Sequence, residues 1–282
     1  MMVTMRPRAW VDNISYATFY KTLRCRFIIT KYCQFAQEVT VSNIASPPHS
    51  HVEPLHLPQD VIKALSIDNL VFGLDNDELK ILLVRQTDPM HQGKWALPGG
   101  WIRFDENLRD AAYRLLEELT GVKQLYLEQL KTFGRVDRFP TERVVTIAYY
   151  ALVSAEHYSL VAGQSAADVS WQSINALPEL IYDHAEIIAY GMKFLRHQVC
   201  HQPIGFNLLP EKFTLLQLQA LYEAILNTKL DKPNFRRKIM KMNLLSPCNE
   251  KQQGVPHRAA NLYRFDSEAY EQLTESGFSF EI

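Results

Sequence analysis

Apolar and polar positions alternate in three regimes along the chain. Residues 1 to about 55 show scattered aromatics and no sustained period, and close on the polar, proline-bearing stretch Ser46-Pro47-Pro48-His49-Ser50-His51, which reads as a linker. From Ile67 the pattern becomes that of folded elements. Asp68 to Leu74 predicts a strand, Asp75-Asn76-Asp77 a turn, and Leu79 to Arg85 a returning strand. Further strands are predicted over Gln129–Val136, Val144–Val153 and Val169–Ile174, with a helix from about Asp183 to His197. Strands interspersed with helices predict an α/β or α+β layered sandwich. Beyond Pro203 a helix opens at Thr214, where Thr214 and Gln217 have the spacing of a capping box, and Leu218, Leu221, Tyr222 and Ile225 form one apolar stripe.

The 282 residues suggest about two domains. With 47% apolar and 22% charged residues the composition is that of a globular protein, and no run approaches the ~18 apolar residues of a membrane helix. Cys25, Cys33, Cys200 and Cys248 lack close motif spacing, which reads as a reduced, cytoplasmic protein. A net charge of −1 gives no bulk attraction to nucleic acid, but the charge is localised. Residues 229 to 264 hold nine Lys or Arg and two acids, whereas 265 to 282 hold five acids and no Lys or Arg. His49, His51 and His56 could bind a metal but read as part of a solvated linker, and His197-x-x-Cys200-His201, which lacks an evident fourth ligand, reads as part of a structural helix rather than a zinc site.

The most informative stretch is Leu97-Pro98-Gly99-Gly100-Trp101 followed by a helix ending at Gly121. It resembles the Nudix family, whose box is Gly, five residues, Glu, seven residues, then Arg-Glu-apolar-any-Glu-Glu-any-Gly-apolar. Gly100, Glu106, Arg114, Leu116, Glu118, Gly121 and Val122 fill seven of the nine specified positions without a gap. The resemblance implies that three carboxylates at positions 115, 118 and 119 would gather Mg²⁺ on one helical face. Two of these positions are Leu115 and Leu119. Glu117 cannot substitute, lying about 200° around the helix from either. Catalysis is therefore not expected; no cofactor is required, while weak Mg²⁺ binding stays open, as does a supply of carboxylates from Glu128 or Glu142.

The segment Asp137-Arg138-Phe139-Pro140-Thr141-Glu142-Arg143 before the strand Val144–Tyr150 resembles the corresponding loop of ADP-ribose-type Nudix proteins. Arg138 and Arg143, with Arg85 weaker, are phosphate-contact candidates, because a guanidinium fork pairs with two oxygens. Trp95, Trp101 and Phe139 are candidates to stack on adenine. The ligand set expected here is Arg85, Glu106, Arg114, Glu118, Arg138 and Arg143.

At the C-terminal end, Asp231 can cap a basic helix with Pro233 in its first turn. Phe235, Ile239 and Met242 share one face of it, leaving Arg236, Arg237 and Lys241 on the others. With the preceding helix and the turn Asn227–Leu230 this is helix-turn-helix spacing, and a hairpin through Gly254–Arg258 into Ala260–Phe265 would be a wing. Lys232, Asn234, Arg236, Arg237, Lys241 and Arg258 are the candidate DNA contacts. From Ile67 onward the chain resembles the Nudix-related transcriptional regulators of NAD biosynthesis. Asp183–Ile187, Phe213–Gln219, Leu230–Lys238 and Leu262–Asp266 carry the match. The resemblance implies an α+β fold: a Nudix α/β/α sandwich over 56–202 and a winged helix-turn-helix domain over 203–282, after an extension over 1–55. It further implies a homodimeric repressor of double-stranded operator DNA, released by ADP-ribose or a related small molecule. A hydrolase cleaving the ADP-ribose pyrophosphate is the alternative, and some members are thought to sense sugars. Pro233 departs from the family, where a basic residue is common, and residues 1–55 have no recognised counterpart.

Overall fold

The computed structural model describes residues 64–75, 78–163, 166–254 and 259–282. The expected extension over 1–55, the histidines at 49, 51 and 56, Cys25, Cys33 and the candidate Arg258 lie outside the described residues.

Among the described residues a seven-stranded mixed sheet is built from strands between Ala64 and Ser173. β1 (Ala64–Asp75) turns back antiparallel into β2 (Glu78–Gln86). Both are buried on two faces over most of their length, which is why each reads as a nearly continuous apolar run. The glycine-rich loop supplies two short strands, β3 (Trp95–Ala96) on β2 and β4 (Gly99–Trp101) on β1. β5 (Glu128–Phe133) pairs antiparallel with β6 (Val144–Ser154), β6 runs parallel to β1, and β7 (Ala166–Ser173) returns along β2. β5 is shorter than the strand expected over Gln129–Val136, because after Phe133 the chain leaves the ladder as a loop, where Arg143 donates to the carbonyls of Gly134 and Arg135.

Among the described residues two helices, one on each face, pack on the sheet. α1 (Leu108–Thr120) buries Ala111, Ala112, Leu115 and Leu116 and ends at Gly121, whose φ of 71° is the left-handed conformation glycine adopts without penalty. It lies on the face of β1 that carries Ile67 and Val71, and Asn69 Nδ2 donates to Ala112 O at 3.1 Å. α2 (His184–His201) lies on the other face, with Ile187, Ile188, Met192 and Leu195 inward. Gly191 is where it touches β1: a Cβ there would stand 2.5 Å from Leu70 Cδ2. Each of those four inward apolar side chains contributes about 1.5–3 kcal/mol by leaving water.

The chain leaves α2 through a buried 3₁₀ turn, Pro203–Leu208, whose Phe206 stacks on Phe265 at 4.4 Å. α3 (Leu215–Leu226) begins at the expected capping box: Gln217 N donates to Thr214 Oγ1 at 3.1 Å and Thr214 N to Gln217 Oε1 at 2.8 Å. Asn227, left-handed at φ 52°, ends it. α4 (Lys232–Lys241) starts at Asp231, which accepts from Asn234 N at 3.0 Å. The hairpin β8 (Leu245–Lys251) with β9 (Asn261–Phe265) follows, then α5 (Ser267–Glu275), a helix that the apolar pattern does not announce and that Asp266 caps through Ala269 N at 3.0 Å.

Candidate functional site

The box folds into a charged frame on an apolar floor. Glu106 sits just ahead of α1 and receives Arg114 in two hydrogen bonds, Nε to Oε2 at 2.7 Å and Nη2 to Oε1 at 2.5 Å. The Arg103 amide donates to the same carboxylate at 2.7 Å. The Arg114 hydrogen bond leads in holding the Glu106 carboxyl down at about 2, and the pairing pushes the Arg114 guanidinium above its ordinary range. Arg114 also reaches Trp101 O at 3.1 Å and Glu118 Oε2 at 3.0 Å. Glu106 and Arg114 thus fix the loop to the helix, and Glu118 is shared between Arg114 and Arg103, the latter at 3.4 Å.

Where a cation cluster would need carboxylates, the side chains are hydrocarbon. Leu115 is 7% exposed and lies under the loop, its Cδ2 within 2.8 Å of where a Gly100 Cβ would stand. Leu119 packs against the same core, and Glu117 points away to Lys123 at 2.6 Å. Glu128 accepts from Tyr150 Oη at 2.7 Å. Glu118 is left with arginines as neighbours, so the residues present do not fit the Mg²⁺ cluster that the Nudix fold elsewhere holds. Among the described residues no group of three or more His, Cys, Asp or Glu could hold a metal ion.

Arg138 departs from its expected role. Its side chain is 3% exposed, and its fork is taken by Asp183, Nε to Oδ2 at 3.0 Å and Nη2 to Oδ1 at 2.9 Å. Asp68 stands 3.5 Å away on the other side. Arg138 is a buried structural cation, not a fork open to a diphosphate. His184 completes the network: its Nδ1 accepts from the Leu97 amide at 3.0 Å and its Nε2 lies 3.5 Å from Asp68. Burial pushes the Asp68 carboxyl up and the His184 imidazole down. Arg143 is also spoken for, its outer nitrogens donating to Gly134 O at 2.6 Å and Arg135 O at 2.9 Å, so it staples its own loop. Arg85 is exposed on β2, with Nε donating to Gly93 O at 3.2 Å.

Above this network lies an aromatic shelf. Trp101 meets Phe139 at 6.0 Å, Phe139 meets Tyr182 at 4.6 Å, and Tyr182 meets His91 at 4.8 Å between ring centroids. Trp101 is 50% and Tyr182 37% exposed. Trp95 is separate, its backbone pairing with Arg85 in β2 and with the 179–181 segment. Tyr182, at φ 48°, is a shelf member that the sequence reading missed.

In the C-terminal part Phe235 and Ile239 are buried, Phe235 against Tyr222 of α3 at 5.5 Å, while Met242 is only half-buried. Lys232, Asn234, Arg237 and Lys241 are exposed, and the Arg237 guanidinium donates to Asn234 Oδ1. Arg236 departs from the expectation of a free face: it is half-buried and turned toward β8 and β9. His197 and His201 stack at 4.5 Å on α2, whose length beyond the expected His197 takes in the whole His-Cys-His cluster.

Comparison with known proteins separates the two halves. The NUDIX domain family matches residues 67–191, and the NrtR DNA-binding winged helix domain family matches residues 205–265. The ADPR responsive transcriptional repressor NtrR of Acinetobacter baylyi is 31% identical over 211 residues, covering 73% of this chain and 84% of that protein. This chain belongs to the NrtR family. The crystal structure of Shewanella oneidensis NrtR complexed with DNA superposes with a TM-score of 0.63 at 30% identity, covering 77% of this chain and 97% of that one. The ADP-ribose pyrophosphatase of Methanocaldococcus jannaschii is 30% identical over 124 residues, 44% of this chain and 72% of its own. In NrtR terms, α3, α4 and the β8–β9 hairpin are the winged helix and the sheet with α1 and α2 the Nudix domain. α2 spans between them: the side chains fixing its start are Asp183 and His184, and near its end Arg196 Nε donates to Ile225 O of α3 at 2.9 Å. The C-terminal Ile282 amide donates to Cys200 O at 3.1 Å.

Proposed function

We propose that this NrtR-family chain is a transcriptional repressor whose hold on operator DNA is relieved by ADP-ribose bound in its Nudix domain. The observation that carries the reading is the Leu115–Leu119 face: the frame of Glu106, Arg114 and Glu118 is kept while the metal-binding carboxylates are replaced by core leucines. A domain built this way keeps the fold of the box and loses the means to activate water. The repressor role of the Acinetobacter relative supports ADP-ribose as the effector.

Arg85 and Arg103 are the cations we assign to the diphosphate, with Trp101, Phe139 and Tyr182 offered to the adenine. Arg114, Glu106, Glu118, Arg138 and Arg143 hold the walls. Ligand against this shelf would bear on Asp183 and His184, and so on the first turn of α2, whose other end carries α3. Lys232, Asn234, Arg237 and Lys241 on α4 would meet duplex DNA, together with the hairpin. We take 56–202 and 203–282 as the limits of the two domains, and a homodimer as the DNA-bound form, since paired half-sites mirror a two-fold axis. A DNA reader with the free thiols of Cys200 and Cys248 fits a cytoplasmic setting. Among the described residues no helix is long and apolar enough to cross a membrane.

The test is fluorescence anisotropy of the full chain on the duplex upstream of its own gene, titrated with ADP-ribose. Release by ADP-ribose is expected; affinity indifferent to ADP-ribose would refute the effector, and ADP-ribose consumption with Mg²⁺ at enzyme rates would favour the hydrolase.

A further inference from the structure

Pairing between distant backbone segments builds a cleft in the winged helix. Phe213 and Tyr263 exchange hydrogen bonds, N to O at 2.9 Å and 2.8 Å, which sets the first turn of α3 beside β9. Thr214 and Gln217 satisfy one another there. The amides of Leu215 and Leu216 are the first two of the helix and have no intrahelical acceptor. Opposite them α4 presents Arg236, and between lies a cleft of about 310 Å³ lined by Leu215, Leu216, Arg236, Lys251, Asn261 and Tyr263. Among the described residues no acidic side chain lines it.

Arg236 is half-buried and lines this cleft. Its Nε is buried and has no hydrogen-bond partner among the described residues. A guanidinium is a strong donor to an anionic oxygen that arrives there. Lys251 adds a second cation from the hairpin, and the α3 N-terminus adds its dipole. Three donors of positive potential from three elements thus converge on one cavity.

We propose that this cleft seats a backbone phosphate of bound duplex DNA, with Arg236 and Lys251 as its two clamps. The inference rests on the DNA-binding reading and deepens it: Arg236 is a positioning residue that fixes α4 on the backbone, and base reading falls to the exposed side chains of the same helix. The phosphate couples hairpin to helix, because neither element alone supplies both cations.

The experiment is a salt titration of the full chain on sonicated mixed-sequence duplex and on the duplex upstream of its own gene. The variants are Arg236→Ala, Arg236→Lys, Lys251→Ala and the double Arg236→Ala, Lys251→Ala. The expected result is a salt slope reduced by about one unit for each lost cation and about two for the double. Arg236→Lys keeps the slope while weakening binding, since it keeps the charge and loses the fork. Selection from a random duplex pool returns the parent's base preference for every variant. ADP-ribose affinity without DNA serves as the check that each variant is folded. An unchanged slope in Arg236→Ala, or a base preference relaxed at one pair, overturns the assignment. So does calorimetric binding of inorganic phosphate that Arg236→Ala abolishes while the DNA slope stays put, which would make the cleft a site for a free phosphoryl compound. A parent chain with no affinity for any duplex at low salt overturns the DNA reading itself, and the parent titration alone reveals it.

Discussion

Replacing Arg138 by alanine separates a structural cation from a ligand contact. Its side chain is 3% exposed and its guanidinium makes two hydrogen bonds to Asp183, at 3.0 Å and 2.9 Å, with Asp68 at 3.5 Å. Removing it leaves two buried carboxylates facing a cavity with no counter-charge. Loss of one partner of a buried pair costs about 3–5 kcal/mol. At about 2–4 °C per kcal/mol for a unit of this size, the melting point falls by about 6–20 °C. Circular dichroism melts of the parent, Arg138→Ala and the double variant Arg138→Met, Asp183→Leu measure it. The double variant recovers most of the loss, because neither charge of that pair remains buried alone. Arg138→Ala melting within about 2 °C of the parent while losing ADP-ribose affinity would refute this reasoning and return Arg138 to the ligand.

Four further outcomes are expected. With Mg²⁺, ADP-ribose turnover falls below the ordinary enzyme range of about 1 to 10³ s⁻¹. Leu115→Glu with Leu119→Glu lowers stability, because position 115 lies in the core; a double variant as stable as the parent would place these leucines outside the core. Glu106 is held at about 2 from an ordinary 4.5, so its contribution to folding is complete above pH 4.5 and is lost as pH falls through about 2. In Arg114→Gln its midpoint moves up toward 4.5, read by carboxyl ¹³C NMR, and a midpoint still near 2 would show that the Arg103 amide suffices. Thr214→Ala removes the capping box and costs about 0.5–2 kcal/mol in urea unfolding, with no loss if solvent caps the helix equally well.

What the sequence determined by itself was local and periodic. The register of α1 from Gly100 to Gly121, the capping box at Thr214 and Gln217, the Asp231 cap and the apolar stripe of α3 all depend on contacts within four residues along a helix or its cap. Spacing alone therefore specifies them, and it also exposed Leu115 and Leu119 as hydrocarbon at the metal positions. The layered sandwich followed from strand and helix periods in the same way, and the winged helix from the order of its helices and hairpin. The tertiary structure decided which cations remain free. Arg138 and Arg143 look alike in the chain, five residues apart. One is sealed against Asp183 from 45 residues away and the other bound to carbonyls of its own loop. His184 meets the Leu97 amide across 87 residues, and Arg236 turns toward a hairpin that a helical wheel does not contain. A guanidinium is flexible and is captured by whichever acceptor folding brings near, so its partner is set by the approach of distant segments rather than by its neighbours in sequence.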